Sequence, residues 1–181
     1  MKQPGINSPD KFMSKRDLSK YLASLSKKDL EKQVEELYDR LKEVRLFYNF
    51  VFNPKEEKMM EEAKFKIFKE YFPPGTRKPK RRRSVAQKHI KNFIQLGVEP
   101  SLIAEVMLYN VEVAVEACAE KTVTQEAFYK SILKSFQDAI KYIDNNSLRQ
   151  KFNERILKIV LDISEQNWVN KFAFEDAANR I

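Results

Sequence analysis

An all-α fold of seven to eight helices is what this sequence predicts, and three observations predict it. Only three glycines, Gly5, Gly75 and Gly97, occur in 181 residues. That is too few for hairpin-rich β folds, whose turns need residues at ease at positive φ. Apolar side chains recur at alternating spacings of three and four, the period of an amphipathic helix. Charged residues make up 33% of the chain, which suits helices with one solvated face.

Residues 1–13 hold Pro4, Gly5 and Pro9 and show no periodicity, so they read as a flexible N-terminal tail. One helical domain is expected over 14–181. Ser14 with Asp17 forms a capping-box pattern, and Leu18, Tyr21, Leu22 and Leu25 give that helix its apolar face. Ser26 with Asp29 repeats the signal and opens a second helix. Its stripe Leu30, Val34, Leu37, Leu41 and Val44 runs unbroken until Asn53-Pro54. Asn53 can cap a third helix whose first turn holds Pro54. Met60, Ala63, Ile67 and Tyr71 share one face of that helix, and Pro73-Pro74-Gly75 ends it. A basic loop over 73–83 follows. Ser84 is the expected cap of a fourth helix, closed by Gly97 in a left-handed conformation.

Pro100 starts a fifth helix, apolar nearly all round from Leu102 to Ala119 and therefore expected at the centre. Thr124 is the expected cap of a sixth, carrying Phe128, Ile132, Phe136, Ile140 and Ile143. Asn145-Asn146 marks a turn into a seventh with Leu148, Phe152, Ile156, Ile159 and Ile163. Trp168 and Phe172 to Ile181 suggest a short terminal helix. Three helix pairs, near 26–72, 84–121 and 124–166, have the length of HEAT-like or armadillo-like units but share no residue-level similarity. Both an irregular bundle and a short α-solenoid fit.

Composition excludes several function classes. Isolated glycines cannot write a Walker A loop or a dinucleotide fingerprint. One histidine, His89, and one cysteine, Cys118, cannot furnish a typical zinc site or a disulfide. The di-iron pattern Glu-x-x-His is absent, because Ala86 stands three before His89. No cofactor is implied. No apolar stretch reaches the roughly 18 residues of a membrane span, and the N-terminus lacks an apolar signal core. A cytoplasmic setting is the expectation.

The net charge of +8 has one source. Between Tyr71 and Val98 lie eight basic residues and no acid: Arg77, Lys78, Lys80, Arg81, Arg82, Arg83, Lys88 and Lys91. The rest of the chain balances 26 bases with 26 acids. Such a strip can bind phosphates by counterion release, with a salt slope approaching about −7 on duplex DNA if all eight engage. It can equally be solvated, or pair with the fifth-helix acids Glu105, Glu112, Glu116 and Glu120.

The stretches Ser14 to Leu18, Leu37-Tyr38-Asp39, Asn53 to Glu56, Arg81 to Ile90, and Glu165 to Trp168 resemble an uncharacterised bacterial family of small helical proteins. The resemblance covers the chain from Ser14 onward. It implies an all-α fold in a bacterial cytoplasm and carries no activity and no site residues across.

Phe47, Phe50 and Phe52 fall within six residues and cannot all face one core, so they form a candidate protein-interaction patch, with packing under a neighbouring loop as the alternative. His89 lies between Val85 and Phe93 at helical spacing and reads as a boundary histidine, Cys118 as a core residue. Asn110, alone among apolar neighbours, should find a structural hydrogen bond. No nucleophile–base pair is visible, so catalytic residues and metal ligands are expected to be absent. The expectation is a non-enzymatic helical scaffold with an unidentified protein partner. The alternative is a nucleic-acid-associated protein binding phosphate backbone, or another polyanion, through segment 77–91. The sequence leaves the oligomeric state open.

Overall fold

The computed structural model describes residues 12–179. Most of the expected N-terminal tail, and the last two residues of the expected terminal helix, therefore lie outside the described residues. Within them the chain is all-helical, with nine helices where seven to eight are expected. They group into two compact units, Met1–Val51 and Phe52–Ile181, where one domain from residue 14 is expected.

The first unit holds α1 (Lys15–Ala23), α2 (Lys27–Arg40) and most of α3 (Lys42–Phe52). Both predicted caps are in place. Ser14 accepts from the Asp17 backbone N–H at 3.2 Å while the Asp17 carboxylate accepts from the Ser14 backbone N–H, a complete capping box. Ser26 accepts from Asp29 N–H at 3.2 Å. The single helix expected from Ser26 to Asn53 is broken. Leu41 is extended (φ −111°, ψ 115°) and splits it into α2 and α3. Neither proline nor glycine stands there, and the apolar spacing runs straight through, so periodicity carries no mark of the break.

The second unit begins with α4 (Glu56–Tyr71), followed by α5 (Arg83–Leu96), α6 (Pro100–Glu120), α7 (Glu126–Asn145), α8 (Arg149–Glu165) and α9 (Lys171–Asn179). α6 is the centre: thirteen of its 21 residues are buried, among them Ile103, Ala104, Val106, Leu108, Val111 and Val113. It packs against α4, α5, α7 and α8, while α9 closes on α7 and α8. Pro100 stands in its first turn and Glu99 caps it, accepting from Leu102 N–H at 3.1 Å. Gly97 is left-handed (φ +73°) at the C-cap of α5, as expected.

Three expected caps are displaced. α4 is preceded by Lys55 rather than Asn53, α5 by Arg82 rather than Ser84, and α7 by Gln125 rather than Thr124; none of the three makes a side-chain cap. Midway along α7 the ring of Phe136 meets Phe174 of α9 at 5.2 Å, and Trp168 lies edge-on to Tyr129 at 4.9 Å and to Phe174 at 5.8 Å. This aromatic group seals the core where α9 arrives. Two ion-pair clusters bind helices at the surface. One joins Lys64 of α4, Glu105 and Glu112 of α6, and Arg155 of α8; the other holds the basic loop.

Candidate functional site

After α4 the chain turns at Pro73-Pro74-Gly75, with Gly75 at φ +69°, and doubles back on the helix it has left. Glu70 is the clasp. Its backbone oxygen accepts from Arg81 N–H at 2.9 Å, and its carboxylate accepts from Arg82 N–H at 3.2 Å. The Arg82 guanidinium grips the same carboxylate with two bonds, Nε to Oε2 at 2.9 Å and Nη2 to Oε1 at 2.7 Å. Arg82 side-chain hydrogen bonding holds the Glu70 carboxyl below the usual carboxylate range, against the opposing effect of burial.

Arg83 turns the other way and ties α5 to α7. Its Nε donates to Ser135 Oγ at 2.8 Å and its Nη2 to Asp138 at 2.7 Å. With the Gln87 amide turned so that its oxygen faces Arg83, that oxygen accepts from the guanidinium at 2.8 and 2.9 Å. Arg81 adopts φ +52°, which sends its side chain inward; its Nε is buried without a partner. Nearby, the Tyr71 hydroxyl is also buried and unpartnered. Burial pushes the Tyr71 phenol well above its ordinary range and the Cys118 thiol up to about 11, and the Arg81 charge opposes both shifts.

The eight basic residues thus divide. Arg81, Arg82 and Arg83 are built into the protein. Arg77, Lys78, Lys80, Lys88 and Lys91 are exposed and make no ion pair among the described residues. The fifth-helix acids, offered by the sequence as one alternative for the strip, form no ion pair with it among the described residues. Glu105 and Glu112 engage Arg155 and Lys64, and the arginines find Glu70 and Asp138. Glu70 was findable as the last acid before the cationic stretch. Asp138, 55 residues from Arg83, left no local signal.

The aromatic patch is partly open. Phe47 is 41% exposed and Phe52 84% exposed, while Phe50 is half-buried. Sequence reasoning missed a wider feature: no residue of α1, α2 or α3 is buried. Leu18, Tyr21, Val34, Leu37, Leu41 and Leu46 all keep large exposed areas. The stripe read from the periodicity of the second helix is therefore not buried.

His89 is half-buried, with its ring 6.3 Å from Phe93. Burial, Lys66 and Lys88 push its pKa down, against the pull of Glu62. Cys118 is buried and free. Asn110 is 3% exposed, and its amide is not among the buried side-chain groups that lack a partner. No group of three or more His, Cys, Asp or Glu side chains could hold a metal ion among the described residues. No described helix is long and apolar enough to cross a membrane.

The model of a family of unknown function (DUF6155) matches residues 13–181. The chain belongs to this family. The match spans the two units and the whole 77–91 segment, so the clasped basic loop and the α6-centred packing lie within the family domain. No curated protein and no solved structure gives a significant match.

Proposed function

We propose that this member of DUF6155 is a non-enzymatic interaction protein that binds a partner protein through the apolar faces of α1, α2 and α3. One observation carries the reading: three amphipathic helices of 9, 14 and 11 residues among which no side chain is buried. Helices this short are marginal in water unless an apolar face is covered. Covering the exposed half of a large apolar side chain stabilises by on the order of 1 kcal/mol. On α3, Phe47 and Phe52 are further exposed apolar side chains. The second unit, an irregular bundle packed on α6, has a buried core of its own and takes no part in this reading.

The test compares full-length protein with a Leu37→Ser, Phe47→Ser, Phe52→Ser variant. Affinity capture followed by light scattering should recover a defined complex with the parent and none with the variant. Trp168, the sole tryptophan and 4% exposed, reports whether the second unit stays folded. An unchanged complex with the variant would refute the proposal.

A second reading rests on the five exposed cations between Arg77 and Lys91 that make no ion pair among the described residues. If they contact duplex phosphates, the salt slope should be about −4.5 rather than about −7, because Arg82 and Arg83 are already ion-paired and Arg81 Nε is buried. Substituting Arg77, Lys78 and Lys80 by Gln should then remove most of the salt-dependent binding. Retention of the full slope would discard this reading.

A further inference from the structure

Of Arg81, Arg82 and Arg83, only Arg81 makes no ion pair among the described residues. It is half-buried, and its Nε is buried without an acceptor. Its backbone N–H donates to the Glu70 carbonyl at 2.9 Å, which seats it beside Tyr71, the next residue of α4. The Tyr71 side chain is 3% exposed, and its hydroxyl also lacks a partner. Two buried donors, a guanidinium N–H and a phenol O–H, are thus left without an acceptor. The backbone that turns Arg81 inward is left-handed, φ +52°, a strained conformation for a residue with a side chain.

The charges that stand near Arg81 do not neutralise it. Glu70 is held by Arg82, and Asp138 by Arg83 and Lys134. Tyr71, Cys118 and Tyr129 all feel the Arg81 charge, yet burial raises each of them, so at neutral pH none is an anion. Tyr129 also donates its proton to the Val123 carbonyl at 2.7 Å. What remains is two donors and one positive charge. A water accepts from both donors but leaves the charge uncompensated, and a buried charge is stable when paired. Cys118 and Tyr129 also line an open cavity of about 590 Å³, which brings solvent up to these neighbours of Arg81.

We propose that Arg81 and Tyr71 form a binding site for one small monovalent anion, chloride or a carboxylate of formate size, held between the Arg81 Nε–H and the Tyr71 hydroxyl. The single positive charge selects a monovalent guest. The packing of α4 against α6 around Tyr71 selects a small one. The site is distinct from the exposed cations Arg77, Lys78 and Lys80, which stand in solvent.

Chloride binding to the full chain is read from the chloride NMR linewidth, with gluconate, too large for the site, balancing the ionic strength. The parent should give a saturable broadening that formate displaces. Arg81→Gln should abolish it, and Tyr71→Phe should weaken it about tenfold, since a hydrogen bond to a charged partner is lost. The triple variant Arg77→Gln, Lys78→Gln, Lys80→Gln should keep it. With gluconate as the only anion, Tyr71→Phe should melt with the parent, and added chloride should raise the melting temperature of the parent more than that of Tyr71→Phe. Trp168 fluorescence reports whether each variant is folded, and if Arg81→Gln is not, Tyr71→Phe decides alone. No saturable broadening with the parent would overturn the proposal, leaving an ordered water as sufficient. Equal binding by parent and Tyr71→Phe, broadening retained in folded Arg81→Gln, or broadening lost in the triple variant would overturn it as well.

Discussion

Replacing Arg155 by Met should lower the stability of the second unit by about 2 kcal/mol at neutral pH, and the loss should shrink in acid. Arg155 lies on α8 and reaches two carboxylates on α6. It bonds Glu105, and it holds Glu112 through Nε at 2.5 Å and Nη2 at 2.7 Å. Glu105 also accepts from Lys64 of α4 at 2.9 Å. The four side chains are 20–29% exposed, between the regimes of surface and interior. An exposed pair is worth about 0.2–1 kcal/mol, and breaking a buried one costs about 3–5 kcal/mol. Methionine keeps most of the stem, so the change isolates the charge and its hydrogen bonds. Glu105 would retain Lys64, but Glu112 would lose its only ion pair among the described residues. About 2 kcal/mol corresponds to a fall in Tm of roughly 4–8 °C for a chain of this size.

The pH dependence follows from sign. Burial pushes the Glu105 carboxyl up, but the Lys64 hydrogen bond and the Arg155 charge outweigh it and hold it below 4.5. Its contribution is therefore complete above the unfolded value of about 4.5 and fades as pH falls through the lower folded value. The variant instead carries uncompensated negative charge on α6, and protonation relieves it. The gap between the two proteins should accordingly hold from about pH 7 down to about pH 4.5 and close below it. Urea titrations followed by Trp168 fluorescence read both quantities. A loss below about 0.5 kcal/mol, or one that does not change with pH, would refute the assignment of this cluster as a cross-helix clamp.

Three further expectations follow from single groups. Tyr71→Phe should change stability by less than about 0.5 kcal/mol, whereas Tyr129→Phe, which deletes a 2.7 Å bond to the Val123 carbonyl, should cost about 1 kcal/mol; equal losses in denaturant titration would mean the Tyr71 hydroxyl is bonded. Cys118, buried with its thiol pushed up to about 11, should resist a thiol reagent at about pH 8 until urea unfolds the chain; prompt labelling of native protein would contradict its placement. His89 has a folded pKa below its ordinary 6.5, so its contribution is complete above 6.5 and is lost as pH falls through that value toward the folded one. His89→Gln should therefore flatten the stability profile between about pH 6.5 and pH 5, and an unchanged slope there would count against it.

What the sequence made legible was local or strongly periodic. Ser14, Ser26, Gly97 and Pro100 act within one helical turn, so their residue types alone set those ends. The burial of α6 followed from its apolar composition all round. The α2–α3 break was invisible because Leu41 is a good helix former in an uninterrupted stripe, so its extended dihedrals run against its own propensity. The displaced cap at Ser84 has a related cause: the loop clasp on Glu70 starts α5 at Arg83, ahead of the serine. The candidate site was half legible. Composition located the cationic strip, but only three-dimensional packing could show that Arg83 meets Asp138 and that the stripe Val34, Leu37 and Leu41 is not buried.

The order in which the chain is made gives the aromatic seal at α9 a temporal meaning. Phe136 and Tyr129 leave the ribosome with α7, but Trp168 and Phe174, which cover them, emerge some 40 residues later. At about 5–20 residues per second, that leaves a greasy surface open for roughly 2–8 s of every synthesis. Holdase chaperones would meet the nascent chain in that interval, and a stall between α8 and α9 would hold it there.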